Sequence, residues 1–348
     1  MKNTYSRTPI DGARCPFCSH GAGHILYQVT SAQAATHFVS PWRHSARNAR
    51  LQLIIEGLWK KSTCQIIECG CCAGVFAFPF VGGDSEFYKV LYEQQKAGAY
   101  PIDRWEYQES IRLCDHMGGP SLETASCLEI GAGDGAFVKH LIHAGVPRRA
   151  ITALEYSTHG IAVMRSSFPG VDVRHGDDLP ALGDGLFSHV FLFQVLEHLS
   201  DVNSFISQLG RLLREHGLVF ISVPNPRRIE FNELNGLLLD MPPNHVSRFA
   251  DGAVKTLSSR NGLSLERLVD QEFSWTAVVP QYLQFRYKRL AQNRRSIPAR
   301  IDARLGGASR KIAGGLFALT LLPEALLKLR ARRMIGNSRL FVLQKRGA

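Results

Sequence analysis

A chain of 348 residues, 45% hydrophobic and 20% charged, can bury a full core and has the composition of a globular protein. It lacks the run of roughly 20 apolar residues that a membrane-crossing helix needs. Its opening, MKNTYSRTPIDGARCPFC, lacks the apolar stretch of a signal peptide, which predicts a cytosolic (cytoplasmic) protein.

The formal net charge of +11 is concentrated at one end. From Gln281 onward there are 16 Lys and Arg against 2 Asp and Glu, so the remainder, with 25 basic and 28 acidic residues, is nearly neutral. A tail of this kind can meet an anionic membrane, an anionic substrate or nucleic acid, or form a solvated helical face.

Six of the eight cysteines fall within the first 72 residues. In a cytosolic chain that clustering favours metal binding or free thiols over disulfides. Cys15-Pro-Phe-Cys18 forms one C-x₂-C unit, and Cys69 with Cys72 forms another. Four thiolates so paired suit tetrahedral structural zinc, with Cys64 and Cys71 as alternative ligands. Residues 1–83 thus read as a Cys-rich region with short β-like runs such as CQIIECGCCAGVFAFPF. Residues 84–120 read as connecting helices ending at Gly118-Gly119-Pro120.

From residue 121 strands and helices alternate. SCLEIG, AITALEY, VDVRHGD, FSHVFLFQ and LVFISVPN are expected strands. Asp134–Ala144, Thr158–Phe168 and VLEHLSDVNSFISQLGRLLREHG are expected helices between them. A Pro/Asn-rich stretch follows Asn225, then helical DGAVKTLSSRNG and strand-like LSLERLVDQE. A basic helical insertion at about 275–333 precedes the last strand, SRLFVLQKR. The pattern predicts an α/β fold: a Rossmann-like, mostly parallel, seven-stranded sheet with helices on both faces.

The tightest turn is Gly131-Ala132-Gly133-Asp134-Gly135, with Ala136 in the third position of a G-x-G-x-x-G/A pattern that by itself suits a dinucleotide. Three carboxylates argue otherwise. Glu129 stands two residues before the turn, Asp134 lies inside it, and Glu155 ends the next strand, where an acid takes both hydroxyls of a ribose. Carboxylates repel a pyrophosphate and welcome a cationic ligand. A nucleoside with positive charge and no phosphate, S-adenosyl-L-methionine, fits that arrangement.

Here the chain resembles the class I S-adenosylmethionine-dependent methyltransferases, in particular the type 11 and type 23 groups. The likeness covers about Ser121–Gly262 and the final strand, and rests on LEIGAGDG, ALEYS, RHGDDLP, FQVLEHLSD, LREHGLVFISVPN and PPNHVSRF in that order. It implies cofactor contacts from Glu129, Gly131, Ala132, Gly133, Asp134, Gly135, Glu155 and Tyr156, from Asp177 and Asp178 in the adenine loop, and from Gln194. The resemblance also implies a zinc-ribbon-like head in residues 1–83, although Ala73 stands where a glycine is expected. The nucleic-acid amino-methyltransferase tetrad is replaced by Gln194-Val195-Leu196-Glu197, so nucleic acid is not the expected acceptor.

Methyl transfer from a sulfonium needs in-line alignment and, for an alcohol or amine, a base. His245 in the Pro-rich segment and His198 in LEHL are the candidate catalytic residues, because imidazole titrates near neutrality. The expected acceptor is a small or sugar-containing molecule methylated on oxygen. A regulatory protein that has lost activity, or an RNA or protein methyltransferase using the basic tail, are the rival readings. Gly314–Arg333 is too short to span a bilayer and reads as a lid over the acceptor or as a peripheral contact with anionic membrane. Oligomeric state is not legible.

Overall fold

The computed structural model describes residues 12–21, 23–93, 103–117, 120–235, 240–330 and 335–347. The head begins with strand β1 (Gly23–Thr30) and helices α1 (Ser31–Phe38) and α2 (Ser45–Trp59). Thr30 starts α1 through a capping box with Gln33, each side chain taking the other's backbone N–H. Strands β2 (Thr63–Cys69) and β3 (Val75–Phe78) follow, and the Cys69–Cys72 knuckle lies between them. The sequence reading did not anticipate β1, α1 or α2. They fill the long interval between the cysteine pairs and bury Leu51, Ile55 and Trp59 against Val29, Ile66 and Phe87.

Helix α3 (Ser85–Tyr92), N-capped by Asp84, and α4 (Trp105–His116) lead to the main sheet. Its elements in order are β4 (Cys127–Ile130), α5 (Ala136–His143), β5 (Ile151–Glu155), α6 (Thr158–Ser167), β6 (Asp172–His175), β7 (Phe187–Phe193), α7 (Val202–Leu212), β8 (Leu213–Pro224) and α8 (Pro226–Leu234). After β9 (Ser247–Arg248) come α9 (Asp251–Arg260) and β10 (Leu263–Asp270). The helical insertion, α10 (Trp275–Ala291), α11 (Ile297–Arg304), α12 (Gly307–Thr320) and α13 (Leu322–Arg330), precedes β11 (Ser338–Lys345).

The seven-stranded sheet has the order β10-β11-β8-β7-β4-β5-β6. Its pairings are parallel except at β11, which runs antiparallel to both β8 and β10. Every residue of β4 and β7 is buried, as strands covered on both faces must be. The chain order reverses between β4 and β7, and at such a switch point a crevice opens beyond the carboxyl ends of the strands.

Two differences from the sequence reading have physical causes. The helix expected to run through LREHG stops at Leu212, where the buried stripe Val202, Ile206, Leu209, Leu212 ends. Leu213 turns extended, Arg214–His216 face solvent, and His216 takes a φ of 59° before Gly217. The head's own sheet, β1-β2-β3-β9, borrows its edge strand from the segment that follows α8. That loan ties the head to the main sheet.

Candidate functional site

Glycine makes the turn after β4 possible. Gly131, Gly133 and Gly135 have φ values of 78°, 60° and 87°, a region that other residues enter at a cost. Gly131 and Ala132 donate their N–H groups to the Leu154 carbonyl, which anchors the turn to the tip of β5. A side chain at Gly131 would also strike Val195, at 2.7 Å.

Glu155 sits at that tip. Its carboxylate accepts the Gly133 N–H at 2.7 Å and the Ser157 N–H at 2.8 Å, and is otherwise buried. Each oxygen keeps a lone pair for another donor. Across the crevice, Tyr156 is 60% exposed and packs edge-on against His175. Asp177 and Asp178 are exposed in the short helical turn after β6. Gln194 takes a φ of 57° just past β7 and donates to the Ser222 hydroxyl at 3.3 Å. Asp134 is half-buried within the turn.

Glu129 is placed differently from its neighbours. It is 2% exposed, its Oε2 has no hydrogen-bond partner among the described residues, and burial, followed by the charge of Glu155, holds its carboxyl well above the usual carboxylate range.

The two candidate histidines meet beside the same edge. The residues after β7 form a single 3₁₀ turn, Leu196–His198, and the Pro-rich segment folds over it, with the Val246 N–H bonded to the Glu197 carbonyl at 2.8 Å. The rings of His198 and His245 stand edge-to-face with centroids 4.8 Å apart. His245 Nδ1 lies 2.7 Å from Asp240 Oδ1. Burial lowers the His245 pKa, but the hydrogen bond and charge of Asp240 more than offset that and leave it raised. His198 Nδ1 lies 2.6 Å from the Asn244 carbonyl, and burial, with His245 beside it, pushes its pKa down to about 3.

Two residues here escaped the sequence reading. Glu197, fully buried with its pKa pushed up to about 7 by burial, carries two carboxylate oxygens without hydrogen-bond partners among the described residues. Asp240 orients His245. A lone acid inside the apolar run VLEHL was the available signal for Glu197; Asp240 had none, because its role depends on a contact made after folding.

In the head, Cys15, Cys18, Cys69 and Cys72 converge, with all four sulfurs within 4.8 Å of one another. The Cys15–Cys72 and Cys18–Cys69 separations are 3.6 and 3.5 Å. Tetrahedral zinc with bonds of about 2.3 Å puts sulfurs about 3.8 Å apart, so the cluster has the right size. The Cys71 N–H points to Cys69 Sγ at 3.4 Å, and Ala73 takes the left-handed φ of 57° that a glycine would take more easily. Cys64 packs in the α1–α2 core and Cys71 is exposed; neither belongs to the cluster.

A cavity of about 990 Å³ lies between α1 and helices α10–α12. Its wall carries His37, Arg43, Lys288 and Arg310, and its lining includes Met241, whose carbonyl accepts the His245 N–H. Burial pushes the His37 pKa down to about 4, with lesser contributions from Lys288 and His245, so the cavity adjoins the histidine cluster.

Residues 102–268 match the family model described as a methyltransferase domain. That segment, a little under half of the chain, is similar to methyltransferase domains. A Mycolicibacterium smegmatis protein named "Probable S-adenosylmethionine-dependent methyltransferase" is 43% identical over 107 residues, 30% of this chain and 39% of the relative. A ubiquinone biosynthesis O-methyltransferase of Caulobacter vibrioides is 28% identical over 109 residues, 30% of this chain and 42% of the relative. The chain thus spans less than half the length of these relatives. A solved S-adenosylmethionine-dependent methyltransferase from Archaeoglobus fulgidus aligns with a TM-score of 0.42 at 15% identity, covering 75% of this chain and 100% of that one. The matched segment contains the glycine turn and both histidines, and the Cys cluster lies outside it.

Proposed function

We propose that the protein transfers the methyl group of S-adenosyl-L-methionine to an oxygen of a small-molecule or sugar-containing acceptor, preferably an anionic one. The observation that carries this reading is the Glu155 carboxylate at the tip of β5, bonded to a glycine turn that Glu129 and Asp134 flank with further acids. Ribose hydroxyls would bond to Glu155, adenine would lie between Tyr156 and the loop of Asp177 and Asp178, and the methionyl end would lie over Gly131–Gly135 toward Gln194. Alignment in this crevice supplies most of the rate, about 7–11 kcal/mol where the geometry is near attack. In the cluster as it stands, His245 Nε2, directed by Asp240, would take the acceptor's proton while the C–S bond breaks.

The cations of the cavity wall support an anionic acceptor, with α10–α12 as its lid. Helices α12 and α13 also leave Ile312, Leu316, Leu319 and Leu327 exposed near Arg310 and Lys311, which supports peripheral contact with an anionic membrane. Among the described residues no single helix is long and apolar enough to cross one. The four head cysteines would hold a structural zinc ion, since four protein ligands leave no open position.

Calorimetry with S-adenosylmethionine, followed by transfer of its labelled methyl group into a metabolite extract, tests the activity. Glu155→Ala should weaken nucleoside binding by tenfold or more (about 1.4 kcal/mol) while the fold is retained. Unchanged affinity, or preference of the wild type for a dinucleotide, would remove the reading.

The raised pKa of Glu129 gives a second expectation. A cationic ligand favours the ionised carboxylate, so binding S-adenosylmethionine releases a proton and affinity climbs with pH up to that raised pKa. Calorimetry in buffers of different ionisation enthalpy reads the proton directly. Glu129→Gln should abolish the release, and an unaltered release would assign the proton elsewhere.

A further inference from the structure

The turn after β7 holds polarity that the described residues do not satisfy. Among them, neither oxygen of the fully buried Glu197 carboxylate has a hydrogen-bond partner, and buried Asn244 Oδ1 has none either. Orphaned buried carboxylates are rare because desolvation is costly, so one such group calls for a missing partner.

The neighbouring imidazoles show what that partner is. Nδ1 of His198 is taken by the Asn244 carbonyl and Nδ1 of His245 by Asp240, and with the proton on Nδ1 the lone pair of each ring sits on Nε2. His198 Nε2 is 3.9 Å from Glu197 Oε1, and one donor atom from each of Glu197, His198 and His245 lies within 4.8 Å of the others. Two imidazole nitrogens and a carboxylate, with the far side of each ring tied to a carbonyl or carboxylate, are the donor set and outer support of a transition-metal site. Charge agrees: Glu197 and Asp240, once ionised, bring two negative charges, while Arg248, which acts on Asp240 and His245, is committed bidentately to Glu233, and Arg104, which acts on Glu197, lies 3.7 Å from Glu106.

We propose that Glu197, His198 and His245 bind one divalent transition-metal cation, with Asp240 and Asn244 as positioning residues. This deepens the methyl-transfer reading and rests on it only for the use of the metal. Three protein donors leave positions open, and a cation there is a Lewis acid for the acceptor's oxygen. The hydroxyl proton leaves to water, the oxygen pair forms the bond to the methyl carbon, and the C–S pair returns to sulfur. With the cation bound, His245 is a ligand rather than the proton acceptor.

The test uses the full chain with zinc already in the cysteine cluster. Mn(II) is titrated with loss of the free-ion EPR signal as readout, and total zinc is counted by elemental analysis. The wild type should hold one Mn(II), or one zinc beyond the cysteine equivalent. Glu197→Gln and His198→Gln should bind Mn(II) more weakly by a factor of about ten or more, and Asp240→Asn by about 10–100. Co(II) in the same site should show d–d absorption without thiolate charge transfer. Failure of the wild type to hold either ion, or a Glu197→Gln variant that binds like wild type, overturns the proposal. S-adenosylhomocysteine affinity on the same samples separates the claims: ion binding without nucleoside binding defeats only the methyl-transfer reading, and the converse defeats only the cation site.

Discussion

If the four head cysteines hold the proposed zinc, Cys72→Ser, or prolonged chelation, is expected to unfold the head and to abolish the proposed methyl transfer, although the cysteines lie outside both the glycine turn and the histidine cluster. Structural zinc in small domains contributes an apparent ~10–16 kcal/mol of folding free energy, against a whole-protein stability of about 5–15 kcal/mol. The cluster is not an appendage. Cys15, Phe17, Cys69, Cys72 and Phe76 share one apolar core with Phe249, Val254 and Leu257 of the segment that matches the methyltransferase model. Arg260 reaches the Phe17 carbonyl and the Ser19 hydroxyl, and Asn203 donates to the Pro16 carbonyl.

The damage would reach the histidines through the backbone. The Ala77 N–H of β3 bonds to the Val246 carbonyl, while the Val246 N–H bonds to the Glu197 carbonyl. Loss of β3 therefore releases the segment that carries His245 from the turn that carries Glu197 and His198. Scanning calorimetry and limited proteolysis, with and without chelator and with zinc counted in parallel, check this. A zinc-free protein that melts and turns over like the native one would reduce the cluster to four ordinary buried thiols.

Legibility followed sequence distance. The turn at Gly131–Gly135, the strand ends at Glu155 and Gln194 and the alternation of the main sheet are local patterns of apolar periodicity and glycine placement, and they can be read where they stand. The Cys15/Cys18 and Cys69/Cys72 pairs were legible because each knuckle is local, even though the elements between them were not. What escaped depends on distant pairing. Strand β9 is two residues long and exists because β3 is there to receive it. The Tyr27–Glu233–Arg248 network joins β1, α8 and β9 across more than 200 positions. Asp240 acquires meaning only when the Pro-rich segment turns His245 back onto it. Glu129 was legible as an acid beside the glycine turn, but the burial that pushes its pKa up was not.

His245→Ala should cut turnover by a factor of roughly 10²–10⁴, whether the ring takes the proton itself or holds the cation that polarises the acceptor's oxygen. S-adenosylmethionine affinity should change by less than a factor of about two, because no nucleoside contact is assigned to it. The variant carries a second cost. Removing the ring leaves Asp240 buried without its partner, and breaking a buried pair destabilises by about 3–5 kcal/mol. Rates must therefore be compared well below the melting temperature, and the double variant Asp240→Asn/His245→Ala should recover part of the stability without recovering the rate. Asp240→Asn alone is the sharper probe. An amide N–H facing Nδ1 forces the ring into the tautomer that is protonated at Nε2, which removes the lone pair that both roles require. It should lose most of the same factor in turnover at a smaller cost in stability. If Asp240→Asn turned over at the wild-type rate while His245→Ala did not, the ring's position, and not its free nitrogen, would be what the site needs.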